Sequence, residues 1–171
     1  MKSLHLETLT ESGKELFPKL ARVEKDFAKN TLTPMIASSR ELTVMVSGVK
    51  CTFAHYPFRL LQPFSIEVPL QIMSTEELLA TKAYTIGRRG SLKDYVDLWA
   101  GIEAGAATLP EIVALADKKY EDAFNDRLFL EQLLYLDDVA DEALIMSGGR
   151  VQPSKKDIID FFYGHIRDMP I

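Results

Sequence analysis

The sequence contains one cysteine, Cys51, and only three histidines. A single cysteine cannot form an intramolecular disulfide, and no Cys/His spacing typical of a zinc site occurs. No stretch approaches the roughly 18 apolar residues of a membrane-spanning helix, and residues 1–7 lack the apolar core of a signal peptide. These absences favour a cytoplasmic protein in a reduced compartment, with no membrane partner.

Positive charge is also scarce. The 171 residues include 20 Lys+Arg against 25 Asp+Glu, which gives a formal net charge of −5. This balance argues against a protein that coats nucleic acid through bulk positive charge, but it does not exclude a small local phosphate site. Hydrophobic residues make up 47% of the chain, and a chain of this length can bury the core of one domain.

The N-terminal part combines a helical pattern with an irregular stretch. Between Thr10 and Ala28, apolar residues at steps of three and four predict a helix, which Pro18 interrupts. The polar residues 29–40, with Pro34 among them, predict a loop.

The pattern then changes to that of a β-hairpin. Residues 41–47 alternate between apolar and polar side chains, residues 47–48 read Ser-Gly and indicate a turn, and residues 49–56 predict the returning strand. A third short strand is predicted over 66–73, at an edge because Pro69 cannot donate to a ladder.

From Ser74 onward the chain is predicted to be helical. Four capping-box patterns, each a Ser or Thr followed three residues later by Glu or Asp, mark helix starts at Ser74/Glu77, Ser91/Asp94, Thr108/Glu111 and Ser154/Asp157. The predicted helices cover 75–88, 92–103, 109–120 and 155–168, and dense leucines predict another over 123–137. We therefore predict an α+β protein, with a small antiparallel sheet in residues 1–73 and an α-helical bundle in residues 74–171, packed as one compact unit.

Charged residues gather where the first two of these helices meet. Lys82 and Arg89 are seven residues apart, so they project within about 20° of each other. Asp94 and Asp97 share a face of the next helix, and the short link 90–91 keeps the two helices together. Such a group can bind a phosphate, with carboxylates that orient the cations or hold Mg²⁺. The candidate phosphate-binding cations are Lys82, Arg88, Arg89 and Lys93.

The same residues also have simpler roles within their own helices. Asp94 is the third residue of a capping box, and the two arginines oppose the dipole at the end of theirs. Lys82 can extend along the apolar stripe, and Asp97 can pair with Lys93 four residues earlier. Spacing alone does not decide between a phosphate site and ordinary helix ends.

Residues 82–98, KAYTIGRRGSLKDYVDL, resemble the K…R…K-D-x-x-D-L signature of the AbiEii/AbiGii-type nucleotidyltransferase toxins. Residues 4–9, the hairpin region 41–58 and the stretches 118–120 and 129–138 are similar to further parts of the family, in the same order. This family has the nucleotidyltransferase fold and acts in abortive-infection toxin–antitoxin systems.

The resemblance implies an activity and roles for particular residues. The expected reaction transfers a nucleotidyl group from a nucleoside triphosphate to an acceptor, which is RNA for characterised toxins of this kind. Lys82 is expected to contact the nucleotide phosphates and Asp97 to help organise the catalytic site, with Asp94 and either Arg88 or Arg89 in support. Mg²⁺ is the family's cofactor, because such transfer needs a metal ion held by two or three carboxylates.

The family's glycine-rich motif, of the form G-G-T/S-A-L…D-x-D, is missing from its expected place after Phe27. No glycine lies between Gly13 and Gly48, and the only aspartate ahead of the K-D-x-x-D-L stretch is Asp26. The returning strand of the hairpin carries no acidic residue either. We therefore expect a shortened protein that is catalytically impaired, and the sequence assigns it neither metal ligands nor a cofactor of its own.

Three functions stay open on the sequence. The protein can be an impaired toxin-family member that still binds a nucleotide or an RNA 3′ end. It can be a non-enzymatic interaction module, whose apolar helix 123–137 binds a cognate antitoxin or a second copy. It can also be an active transferase with Glu77, Asp94 and Asp97 as metal ligands. A three-stranded sheet with an open edge additionally predicts either a covering of helices or the pairing of two chains.

Overall fold

The computed structural model describes residues 32–37, 41–67 and 70–169. The chain divides into two units, one ending at Arg59 and the other beginning at Leu60. The helix predicted over 10–28 lies outside the described residues. The predicted division at residue 73 and the predicted single compact unit stay predictions.

The first unit contains a three-stranded antiparallel sheet. Its strands are β1 (Leu32–Ala37), β2 (Glu41–Val46) and β3 (Val49–Ala54), in that order across the sheet. Val46 of β2 pairs with Val49 of β3 across the two turn residues, which confirms the predicted hairpin. Both turn residues have positive φ, 48° at Ser47 and 80° at Gly48, as the favoured two-residue hairpin turns require.

Strand β1 corrects the loop predicted over residues 29–40. It pairs with β2 along its length, with a register irregularity between Pro34 and Ile36. A bulge at that point tolerates a proline, which has no N–H to give to the ladder. Pro34 therefore does not prevent residues 32–37 from forming a strand.

The two faces of β2 carry different chemistry. Leu42 and Val44 are buried on one face, where Phe53 is among the partly buried residues that pack against them. On the other face the hydroxyl of Thr43 is 2.9 Å from Glu41 Oε1 and 3.0 Å from Thr52 Oγ1. The alternation expected of a sheet strand is thus present, with a buried polar group that is hydrogen-bonded.

The second unit begins with a small hairpin that corrects the single strand predicted over 66–73. Strands β4 (Ser65–Glu67) and β5 (Leu70–Ile72) pair with each other in a separate two-stranded sheet. Pro69 lies between them in the sequence, and because it lacks an N–H it favours a break over a continuous strand.

Helices make up most of the rest of this unit. They are α1 (Thr75–Arg89), α2 (Leu92–Glu103), α3 (Leu109–Tyr120), α4 (Asp126–Leu133) and α5 (Lys155–Arg167). Four of them match the predicted bounds to within one residue, and the α+β class is confirmed. None of the helices in the described ranges is long and apolar enough to cross a membrane.

The helix predicted over 123–137 is wrong in length. A 3₁₀ turn covers Glu121–Ala123, and α4 begins only after Asn125, whose Oδ1 accepts from the N–H of Leu128 at 2.8 Å. The dense apolar residues of this region are explained by burial rather than by helix length, since Phe129, Leu133 and Leu136 are all buried.

Helix α1 lies at the centre of the helical packing. It contacts α2, α3 and α4, and α5 packs against α2 and α4. The approach of α2 to α1 is close at Gly101, where an added Cβ would lie 2.5 Å from Leu79 Cδ2. A larger residue would fit there only if the Leu79 side chain or one of the two helices shifted.

A buried ion pair joins α1 to α3. Glu77 and Lys119 form a salt bridge, and their side chains are 1% and 0% exposed. The other carboxylate oxygen of Glu77 accepts from the backbone N–H groups of Leu61 and, at 2.8 Å, Gln62. Glu77 supplies the counter-charge that a buried ammonium needs. Through its hydrogen bonds with Leu61 and Gln62, it also ties the start of the second unit to its helices.

This pair explains why one predicted capping box is only half formed. The hydroxyl of Ser74 accepts from the N–H of Glu77 at 3.3 Å, as predicted. The carboxylate of Glu77 turns to Lys119 and does not reach back to Ser74. The boxes predicted at the starts of α2, α3 and α5 are complete.

The Glu77→Gln variant should be strongly destabilised, by about 3–5 kcal/mol, because it removes the carboxylate charge that pairs with the buried Lys119 ammonium. Urea unfolding followed by circular dichroism measures the change. Glu76→Gln is the matched control, because Glu76 is exposed on the same turn, and it should change stability by less than about 0.5 kcal/mol. Equal stability of the two variants would contradict the role given to the buried pair.

Candidate functional site at the junction of α1 and α2

Lys82 of α1 meets two aspartates of α2. Its Nζ lies 3.1 Å from Asp94 Oδ1 and 2.7 Å from Asp97 Oδ2. The alternative in which Lys82 only lines an apolar stripe and Asp97 pairs with Lys93 is therefore wrong in this structure. The three charged residues of the sequence signature converge on one point.

The link between the helices makes this convergence possible. Gly90 follows α1 directly, and an added Cβ there would lie 2.9 Å from Tyr95 Cε2 and 3.1 Å from Ile86 Cα. A larger residue would push the start of α2 away from the end of α1. The glycine therefore lets α2 begin close enough for its aspartates to reach Lys82.

The two aspartates differ in how firmly they are held. Asp94 has a side chain only 9% exposed, and its Oδ2 accepts from the N–H of Ser91 at 3.0 Å and from the Ser91 hydroxyl at 2.7 Å. This is the capping box predicted at the start of α2. Asp97 is 52% exposed, one turn further along the helix. Asp94 is thus fixed by its own helix, whereas Asp97 faces solvent.

The pKa values of Lys82 and Asp94 are shifted in the directions that keep both charged. Burial, the largest influence on Asp94, favours the neutral acid, but the hydrogen bonds from Ser91 and the charge of Lys82 outweigh it and lower the pKa. Burial likewise opposes the charge on Lys82, and its contacts with Asp97 and Asp94 outweigh that effect and raise the pKa. The cluster is an ion triad at neutral pH.

Arg88 does not join this triad. Its guanidinium carbon lies 4.5 Å from the centre of the Tyr84 ring, and its Nη2 donates to the carbonyl of Ala123 at 3.1 Å. Six residues along a helix place Arg88 about 120° from Lys82 around the axis of α1. The structure therefore directs this predicted phosphate ligand towards the connection between α3 and α4.

Arg89 and Lys93 stay at the corner. Both are exposed, and in the described part of the chain neither has an ion pair. They are available to an anion that approaches Lys82 from solvent. The predicted set of four cations is thus divided, with three near the α1–α2 junction and Arg88 committed elsewhere.

Around Arg88 the structure shows a feature that the sequence did not reveal. A cavity of about 290 Å³ has Tyr84, Arg88, Phe124 and Leu128 in its wall. Tyr84 also stacks on Tyr120, with ring centres 4.0 Å apart. Tyr84 lies on α1, whereas Tyr120 ends α3 and Phe124 follows the 3₁₀ turn. No spacing in the sequence links Tyr84 to the other two.

The described residues do not fit a Mg²⁺ site. No group of three or more Asp, Glu, His or Cys side chains comes together among them. Asp94 and Asp97 share the charge of Lys82, and Glu77 is committed to Lys119. The hypothesis that Glu77, Asp94 and Asp97 together bind a metal is wrong, because Glu77 lies in a different, buried contact.

Acid should remove the contribution of Asp94 to stability. Its pKa in the folded protein is below the ordinary value of 3.8, so its contribution is present above that pH and is lost as the pH falls through the lowered pKa. Asp94→Asn should be less stable than wild type by about 2 kcal/mol at pH 7. The difference should shrink below pH 3.8.

Urea unfolding at a series of pH values measures this effect. Asp122→Asn, at an exposed position, is the control and should stay within about 0.5 kcal/mol of wild type throughout. An Asp94→Asn difference that does not depend on pH would show that the carboxylate charge is not what stabilises the site.

Much of this sequence is similar to that of another protein. A stretch of 133 residues is 25% identical to an uncharacterized protein of Aquifex aeolicus (strain VF5). It covers 77% of this chain and 62% of that relative, so the chain spans less than two thirds of the relative's length. No solved structure matches the chain.

A family model matches residues 23–162, a range that includes the three-stranded sheet and the whole α1–α2 junction. The model is described as the nucleotidyl transferase AbiEii toxin of a type IV toxin–antitoxin system. The match confirms the resemblance found in the sequence. The chain belongs to the AbiEii nucleotidyl transferase toxin family.

Proposed function

We propose that this chain binds a nucleoside triphosphate through Lys82 and that its nucleotidyl transfer activity is impaired. The observation that carries the proposal is the convergence of Lys82 with Asp94 and Asp97 at 3.1 and 2.7 Å. These are the positions that match the family signature. A lysine side chain that is 18% exposed, with its ammonium oriented by two carboxylates, is suited to contact a phosphate from solvent.

Further cations support binding of a polyanion at this corner. Arg89 and Lys93 are exposed beside the junction, and Arg supplies a planar fork of donors that matches phosphate oxygens. Arg88 would join them only by leaving the Tyr84 ring and the Ala123 carbonyl. We therefore propose Lys82 and Arg89 as the phosphate-binding set, with Lys93 as a neighbouring cation and Asp94 in support.

The proposal of impaired catalysis rests on the missing carboxylates. The sequence between Phe27 and Glu41 contains neither glycine nor aspartate, and Asp94 and Asp97 already neutralise Lys82. Loss of the groups that stabilise developing charge in such a transfer typically costs about 10³-fold in rate. RNA as acceptor and Mg²⁺ as cofactor are properties of the family that we do not assign to this chain.

A second candidate function is a non-enzymatic interaction module. On the surface predicted for it, residues 123–137, Phe129 and Leu133 are buried, whereas Leu128 and Tyr135 are 40% and 49% exposed. The connection between α4 and α5 offers another surface, where Ile145 and Val151 are 84% and 88% exposed. A cognate antitoxin or a second copy of the chain would be the partner, and light scattering with and without the antitoxin would detect either.

Calorimetric titration with GTP or CTP tests the nucleotide-binding proposal. Lys82→Ala should weaken binding by about 10-fold or more, because it removes a charged hydrogen-bond donor to phosphate. Lys118→Ala is the matched control, since Lys118 is exposed on α3 and should leave affinity unchanged. Wild-type protein that does not bind, or equal affinity in Lys82→Ala, would remove the proposal.

The impaired activity is tested separately by incubation of the protein with labelled nucleotide, Mg²⁺ and total tRNA. We expect no transfer of label to RNA above the background of a Lys82→Ala sample. Transfer by wild-type protein that is lost in Lys82→Ala would show an active enzyme and would contradict the argument from missing carboxylates.

A further inference from the structure

The triad at the α1–α2 junction has two carboxylates for one ammonium group. Both carboxylates lie within 3.1 Å of the Lys82 Nζ. An ammonium has three N–H donors, but a bound phosphate would place a third anionic group around the same positive charge. Repulsion among these anionic groups favours the departure of one carboxylate when a phosphate binds.

The two carboxylates are unequal candidates for that exchange. Asp94 is nearly buried, and it accepts two hydrogen bonds from Ser91 as part of the cap of α2. If it left Lys82, it would remain largely out of water with one charge unpaired, which is costly. Asp97 is half exposed, and within the described residues Lys82 is its one ion-pair partner. Water can solvate it when it leaves.

The sequence supplies a second partner for Asp97. Lys93 lies four residues earlier on α2 and is exposed, and residues four apart on a helix are neighbours on its surface. A rotation of the Asp97 side chain can therefore exchange the ammonium of Lys82 for that of Lys93. The helix backbone does not have to move.

We infer that Lys82 takes up a phosphate group by exchanging Asp97 for it, while Asp94 remains bound to Lys82 throughout. Asp97 is then a competitor that occupies the phosphate position in the unliganded protein. The ligand class is a metal-free polyphosphate, such as the triphosphate of a nucleotide. This inference rests on the proposed function, since it describes how the same lysine binds its ligand.

The exchange predicts opposite effects for the two aspartates. Asp97→Asn removes the competitor, so inorganic triphosphate should bind about fivefold more tightly in the presence of EDTA, as expected for loss of one half-exposed ion pair. Asp94→Asn should bind more weakly than wild type, because Lys82 loses the group that holds it in place. If Asp97 instead helped to hold the ligand, Asp97→Asn would bind triphosphate more weakly than wild type.

Calorimetric titration of triphosphate into the full chain measures these affinities. Asp160→Asn is the matched control, because Asp160 is also a half-exposed aspartate in a surface ion pair with a lysine, on α5, and it corrects for the change in net charge. Its affinity should equal that of wild type. An Asp97→Asn variant that binds no more tightly than Asp160→Asn would overturn the exchange.

A second measurement does not depend on any ligand. The rate of Lys82 acetylation, followed by mass spectrometry and compared with Lys118 in the same sample, reports how firmly the ammonium is held. It should rise in both variants, and severalfold more in Asp94→Asn than in Asp97→Asn. Equal rates in the two variants would overturn the assignment of Asp94 as the permanent partner. If triphosphate bound neither to wild type nor to any variant while the acetylation rates were as expected, the proposed function and the phosphate exchange would both be overturned. Only the anchoring of Lys82 by Asp94 would then remain.

Discussion

An ammonium group removed from water must keep a counter-charge beside it, and helix α1 meets this constraint twice. Near its start, Glu77 provides the charge for the fully buried Lys119 of α3. Further along, its own Lys82 is held by two aspartates of α2. The first pair belongs to the core and has no route to solvent. The second reaches the surface, and this difference in burial is what makes Lys82, rather than Lys119, the candidate for a ligand contact.

Local sequence signals predicted most of the helical unit, because a capping box is satisfied by residues three apart. The starts of α2, α3 and α5 follow from such boxes. The prediction was incomplete at Glu77, because its carboxylate pairs with Lys119, 42 residues away in the sequence, and does not complete the capping box. No local pattern shows that Lys119 will be buried. Strand β1 was missed for a related reason, since its pairing with β2 tolerates a proline that local rules treat as a break.

The candidate site was predicted in its membership and in part of its contacts. Helical spacing placed Lys82, Asp94 and Asp97 at one corner, and the structure brings them together. The capping box predicted at Ser91 and Asp94 is present, and its hydrogen bonds hold Asp94 in place. Spacing also placed Arg88 with the other cations, whereas the Tyr84 ring and the Ala123 carbonyl hold it elsewhere. The contact with Ala123 joins residues 35 apart in the sequence, and no local pattern predicts it.

The narrow space between α1 and α2 at Gly101 has a consequence for the charged corner at the other end of α2. Gly101 lies one helical turn beyond Asp97, and a Cβ added there would lie 2.5 Å from Leu79 Cδ2, so the Leu79 side chain or one of the helices would have to shift. If the helices moved apart, the distances from Lys82 to both aspartates would change although no charged group had been altered. The uncharged contact at Gly101 thus helps to set the distances between the charged groups of the corner. A methyl group added at Gly101 could change those distances, and with them the strength of both ion pairs, without touching a charged residue.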